Sequence, residues 1–165
     1  IAHADLADPE RRHGDPLDQP YFDLYWTEPG REPLWILADG ARAGFVLLNL
    51  HSPSGLGVDR AIAEFCIVPE RRREGLGRAA ALAALARTAG IWELQVYRAN
   101  PTAIDFWRKV IAAADPKAWD EIPLAERIVH RFVLAPGNKA ERAELGSRAA
   151  GPRRGRHDPL ALLKG

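Results

Sequence analysis

One cysteine, Cys66, and no methionine make up the sulfur content of this 165-residue chain. A lone cysteine excludes an intramolecular disulfide, and its apolar setting, Phe65-Cys66-Ile67-Val68, makes it a small buried hydrophobe. No apolar run approaches the roughly 20 residues of a membrane span, and no basic start followed by an apolar core marks secretion. A cytoplasmic protein with no membrane partner is therefore expected. Because the chain opens on Ile1 without methionine, its true start is expected to lie outside this sequence. His51 and His130 stand at no metal-ligand spacing from other ligands, so both are read as structural or exposed and no metal is expected.

What is present suits one packed domain. Apolar residues make up 47% of the chain, and its length allows one core but is short for two. The net charge of +1 is unevenly spread. From Pro136 onward seven basic residues face three acidic ones, a local +4 that leaves the preceding residues at −3. The expected division is a single domain over residues 1–135 and a basic Gly/Pro/Arg-rich extension over 136–165. That extension, with Gly151-Pro152-Arg153-Arg154-Gly155-Arg156 at its centre, is read as a solubilising tail. Nucleic acid is an expected partner only through it. Its end, Leu160-Ala161-Leu162-Leu163, is expected to dock on a neighbour or fold back.

The body alternates strands and helices, an α/β order with a hairpin at the front. Strands are predicted over residues 33–38, 43–50, 60–68, 91–97 and 127–134, with Asp39-Gly40 as the hairpin turn. Helices are predicted over 77–88 and 101–113. The first has an apolar side of Ala79, Leu82, Ala83, Leu85 and Ala86 and a stop at Gly90; the second opens on Pro101. Trp119 is read as a packing anchor in a loop. The aromatic cluster Pro20-Tyr21-Phe22-Asp23-Leu24-Tyr25-Trp26 is read mainly as cover for the sheet.

The chemistry concentrates at Ile67-Val68-Pro69-Glu70-Arg71-Arg72-Arg73-Glu74-Gly75-Leu76-Gly77-Arg78. A strand ends at a proline, and a basic turn with two glycines feeds into a helix. The free N–H groups of a helix's first turn, the helix dipole and a nest of successive amides together attract an anion. This is read as a pyrophosphate cradle. Gly77 is followed by Arg78 and Ala79, not by the Lys-Ser/Thr of a P-loop. Gly75, Gly77 and Ala80 fit the dinucleotide fingerprint literally, but Gly75 lies too far past the strand. Glu93 also lies too near the start of the next strand to serve as the ribose acid.

Arg72-x-x-Gly75-x-Gly77 resembles the pyrophosphate loop of the GCN5-related N-acetyltransferase (GNAT) superfamily. Asn100-Pro101-Thr102-Ala103-Ile104-Asp105-Phe106-Trp107 resembles that family's second motif, one helix and one strand further on. The resemblance covers roughly residues 33–134. It implies a GNAT-like mixed central sheet flanked by helices, whose fourth and fifth strands splay apart around the coenzyme's pantetheine arm. The implied co-substrate is acetyl-CoA. The implied reaction moves its acetyl group to a primary amine by direct attack in a ternary complex. A small-molecule or peptide amine is the implied acceptor, and a homodimer is an allowed state. Alternatives are a non-catalytic acyl-CoA-binding module and a dinucleotide-binding protein. The family's usual first strand is not evident before Pro20.

By motif position the backbones of Phe65 and Ile67 meet the arm. Arg72, Arg73, Glu74, Gly75, Leu76, Gly77 and Arg78 hold the pyrophosphate, mainly through main-chain N–H groups. Asn100, Ala103 and Phe106 line the other side. Arg71 or Arg73 is expected at the ribose phosphate. An alkylammonium, with a pKa near 10.4, must lose a proton before attacking. The family's frequent carboxylate position is here Ala61. Glu64 lies on the same strand at the wrong parity unless a β-bulge intervenes, and it is the candidate base; Asp59 is the next candidate. Trp107 stands where many members carry a tyrosine acid, leaving Tyr97, Tyr21 and Tyr25 unassigned.

Overall fold

The computed structural model describes residues 23–137 and the backbone of residues 161–164. Tyr21, Phe22 and the stretch 151–156 lie outside the described residues. A one-turn helix α1 (Leu24–Thr27) leads into strands β1 (Glu32–Ala38) and β2 (Ala41–Asn49). The two residues between them have positive φ, 54° at Asp39 and 76° at Gly40. That is type I′ geometry, whose twist matches the strands it joins. Then follow β3 (Arg60–Ile67), α2 (Leu76–Leu85), β4 (Gly90–Tyr97), α3 (Pro101–Ala114), β5 (Ala118–Pro123), β6 (Arg127–Leu134) and β7 (Ala161–Lys164). The strands form one mixed sheet in the order β5-β6-β4-β3-β2-β1-β7, flanked by helices. Among the described residues, only β3 and β4 run parallel as neighbours.

The sheet has two different faces. On the helix face, Ile62, Ile67, Leu94, Val96 and Phe132 join one core with Ala80 and Ala84 of α2 and Val110 and Ile111 of α3. On the α1 face, Tyr25, Phe45, Leu47 and Cys66 form a smaller cluster, with Cys66 buried as expected.

Three expectations need correction. The fully buried side of α2 is Leu76, Ala80, Ala81, Ala83, Ala84 and Leu85, while Ala79, Leu82 and Ala86 are only partly covered. Alanine fits against sheet and neighbouring helix alike, so an alanine-rich run carries little periodic contrast. The helix also stops at Leu85, and Gly90 opens β4 with φ 116°. Glycine is needed there because a Cβ would collide with the Asp59 carboxylate, which accepts the Ile91 N–H at 2.7 Å. Finally, residues 118–123 are not a loop but β5, paired antiparallel with β6. Asp120, Glu121 and Pro123 are poor strand formers, tolerated at an edge. The C-terminal residues fold back: Ala161–Lys164 pair antiparallel with Leu34–Leu37, supplying the strand beyond β1.

Glu93 of β4 is fully buried. It accepts from Ser52 Oγ (2.9 Å), Ser54 N–H (3.1 Å), Ser54 Oγ (2.6 Å) and the Arg131 guanidinium. Burial alone would raise its pKa, but these hydrogen bonds prevail and hold the carboxyl below its ordinary value. The network leaves Glu93 no role at a ribose. A carboxyl with a lowered folded pKa contributes stability above its unfolded pKa, and that contribution is lost as pH falls through the folded value. Glu93→Gln is therefore expected to destabilise the protein at pH 7, by about 3–5 kcal/mol if Arg131 is left unpaired. It should also flatten the decline in stability below about pH 4. Thermal melts of both proteins across pH check this.

Candidate active site

The parallel pairing of β3 with β4 stops early. It joins Arg60 to Trp92, Ala61 to Glu93 and Ile62 to Leu94, and the remaining five residues of β3 have no partner on that side. A gap opens there in the middle of the sheet, so the strands splay. On its other side β3 stays paired with β2, but the register jumps: Leu47 faces Glu64 and Leu48 faces Ile62. Ala63 is the extra residue of a β-bulge. The bulge puts Glu64 and Ala61 on one face, the α1 face, opposite Leu47 and Asn49. The Val68 N–H bonds Ala43 O at 2.9 Å, so the alternation of an antiparallel ladder turns the N–H and C=O groups of Phe65 and Ile67 toward the gap.

The basic turn lies beyond the end of β3. Pro69–Arg71 form a single 3₁₀ turn, Arg72 is extended, and Arg73 and Gly75 have φ of 67° and 79°. Gly75 is the N-cap of α2 and offers no side-chain cap, so the first-turn N–H groups face outward. Leu76 is buried and anchors the helix start, leaving only its backbone for a ligand. Arg72 Nε donates to Ile67 O at 2.9 Å, clasping the turn to the strand. Arg71 is held by Asp39 and Glu74, both at 3.0 Å, which also occupies the Glu74 carboxylate. Arg73 and Arg78 are exposed, and no ion pair holds either among the described residues.

α3 forms the opposite wall. Asn100 caps it, its Oδ1 accepting from the Ala103 N–H at 3.0 Å, and Pro101 follows at the first helical position. A Cβ on Gly77 would lie 3.5 Å from Ile67 and 3.6 Å from the Phe106 ring. Strand end, helix start and α3 thus converge on a narrow slot. The rings of Phe65 and Phe106 meet Trp107 edge-to-face and lie tilted to one another, with centroids 5.1–5.8 Å apart. Trp107 is only 7% exposed and belongs to the core, so it contributes packing and no mobile proton.

Groups with chemistry lie on the α1 face. Glu64 is half-buried, and burial raises its carboxyl pKa; among the described residues it receives no hydrogen bond. Tyr25 is 2% exposed, its hydroxyl accepting from Asn49 Nδ2 at 2.9 Å, and burial raises its pKa as well. Tyr97 and Gln95, at the far side of the gap, are exposed. Both accept from Arg127, at 3.1 and 3.0 Å. Sequence reasoning passed over Asn49, Gln95 and Arg127. The alternation of β4 places Glu93, Gln95 and Tyr97 on one face, and that signal was readable. Asp59 is engaged by the Ile91 N–H at the closed end of the strands, away from the gap. His51 is exposed, whereas His130 is fully buried beside Glu121, Nδ1 to Oε1 3.5 Å, and burial lowers its pKa. Among the described residues no His/Cys/Asp/Glu group could hold a metal ion, and no helix is long and apolar enough to cross a membrane.

Comparison with known proteins agrees with this geometry. The chain is similar in structure to an acetyltransferase from Thermus thermophilus, with TM-score 0.52, 18% identity and coverage of 67% of this chain and 68% of that one. It is also similar to a Bacillus subtilis acetyltransferase crystallised with CoA, with TM-score 0.52, 13% identity and coverage of 72% and 84%. No curated protein gives a significant sequence match. The model of the acetyltransferase (GNAT) family matches residues 2–111. The chain belongs to the GNAT acetyltransferase family.

Proposed function

We propose that this protein is an acetyl-CoA-dependent N-acetyltransferase acting on a primary amine in a ternary complex. The observation that carries the reading is the gap between β3 and β4, with an amide nest at its open end and the Glu64 carboxylate beside its closed end. The B. subtilis neighbour, crystallised with CoA, supports it. Without side chains at Gly75 and Gly77, a phosphate can approach the backbone of the turn closely.

Phe65 and Ile67 offer backbone groups to the pantetheine amides. The amides from Arg73 to Arg78 hold the pyrophosphate, and Arg73 rather than the pinned Arg71 reaches the ribose phosphate. Asn100, Ala103 and Phe106 close the slot. The bound co-substrate supplies a thioester carbonyl for attack. Glu64, directly or through one water, takes the ammonium proton, and the free amine forms the C–N bond as the C–S bond breaks. The nitrogen, positive once bonded, gives up its second proton through water, and the departing thiolate takes up a proton to leave as the thiol. A carboxyl with a raised pKa is the better base near neutrality, so kcat should rise with pH through a value above the ordinary Glu range, about 4.3.

A non-catalytic acyl-CoA binder is the second reading, favoured by Ala61 at the family's frequent base position and by the core packing of Trp107. Titration calorimetry with acetyl-CoA, with NADH and dephospho-CoA as controls, tests the cofactor. Micromolar acetyl-CoA binding is expected. Binding of NADH alone would reject the reading, and acetyl-CoA binding without amine turnover would favour the binder.

A further inference from the structure

Arg127 opens β6 on the α1 face, two residues along from the strand position beside the mouth of the gap. It is half-buried and held from three sides by neutral groups. Nη1 donates to Gln95 Oε1 at 3.0 Å, Nη2 donates to Tyr97 Oη at 3.1 Å, and the guanidinium lies 4.8 Å from the centre of the Tyr97 ring. Among the described residues, Arg31, Arg71, Arg87, Arg108 and Arg131 each meet a carboxylate. Arg127 meets none, as is true of Arg42, Arg60, Arg72, Arg73, Arg78 and Arg98, but it is the one held by two neutral side chains on the face of Glu64. Two of its five N–H donors are engaged, so three remain for a ligand. The cation is fixed in direction without being neutralised.

We infer that Arg127 recognises a carboxylate on the acceptor, so that the substrates are amines bearing a carboxylate several bonds from the reacting nitrogen. The inference rests on the reading proposed above. Pairing across the sheet places Arg127, Tyr97, Gln95, Ala61 and Glu64 on one face. Gln95 follows the last paired residue, Leu94, and stands across the gap from Glu64. From strand spacings, Arg127 is on the order of 10 Å beyond Glu64, and both side chains can reach inward to shorten that span. One guanidinium matches the single charge of a carboxylate and the planar fork of its oxygens; a phosphate monoester brings nearly two charges. Gln95 and Tyr97 act as positioning residues that keep the fork turned to the acceptor.

The test compares acetyl transfer to ω-amino carboxylates from glycine to 6-aminohexanoate with transfer to alkylamines of matched length. O-phosphoethanolamine forms a third arm, and acetyl-CoA binding is measured separately by calorimetry. The wild type should prefer the longer carboxylated acceptors by at least about tenfold in kcat/KM, as expected for a charge-assisted hydrogen bond. Arg127→Gln should bring that ratio toward one, mainly through KM, and Arg127→Lys should recover part of it. A wild type without preference, an equal loss in both series, or better use of O-phosphoethanolamine would overturn the inference. Acetyl-CoA binding with no amine turned over would overturn the catalytic reading beneath the inference in favour of the binder, and the inference with it. Failure to bind acetyl-CoA would overturn that reading at the co-substrate.

Discussion

Replacing Glu64 with glutamine is expected to lower kcat by about 10²–10⁴ while leaving acetyl-CoA affinity within a factor of about two. It should also raise the melting temperature at neutral pH. The activity loss follows from removing the only carboxylate that the bulged strand presents beside the gap. Glutamine keeps the shape but cannot take the ammonium proton. The stability gain follows from linkage. A carboxyl whose folded pKa is raised is most favourable to the fold at low pH, and that advantage fades as pH rises through the folded value. At pH 7 the wild type therefore carries a desolvated charge that the amide lacks. Rate and stability moving in opposite directions is the signature of a functional carboxylate. A fall in both would show that Glu64 only supports the strand.

The second large effect is expected at Gly75. Its φ of 79° lies in the left-handed region, and no atom comes within 4 Å of where a Cβ would sit. Space is therefore not the constraint; backbone conformation is. A β-branched residue there incurs the full left-handed cost, whereas asparagine tolerates the region. Gly75→Val should turn the nest amides out of line and weaken acetyl-CoA binding by at least about 10²-fold, since several charge-assisted hydrogen bonds fail together. Gly75→Asn should lose less than about tenfold. Calorimetry on both variants, with a thermal melt as the control for folding, decides the point. Equal losses would mean that side-chain bulk, and not amide direction, governs the cradle.

Much of this protein was legible in its sequence, because the elements around the site carry strong local signals. Proline and asparagine marked the start of α3, Asp39-Gly40 marked the hairpin, and the glycine spacing marked the turn that opens α2. What escaped notice depends on pairing rather than on local type. β5 is an edge strand of polar residues and proline, so neither propensity nor alternation separates it from a loop. The deep side of α2 is blurred because alanine is compatible with every side. Asn49 and Arg127 gain their surroundings only when β2 and β6 take their places flanking β3 and β4. The bulge at Ala63 leaves no composition signal at all, although the parity of Glu64 against Ala61 hinted that one was needed.

That single extra residue bears on how relatives of this chain diverge. With Ala63 interposed, positions 61 and 64 become two mounting points on the same side of the sheet, about two pleats apart. A carboxylate can then be lost from one and gained at the other without any change in the strand's path. Deleting Ala63 would straighten the strand yet leave Glu64, Ile62 and Ala61 opposite Leu47, Leu48 and Asn49, on the faces they already hold. Along this strand, the pairing register rather than the count of residues decides which side chains stand beside the gap.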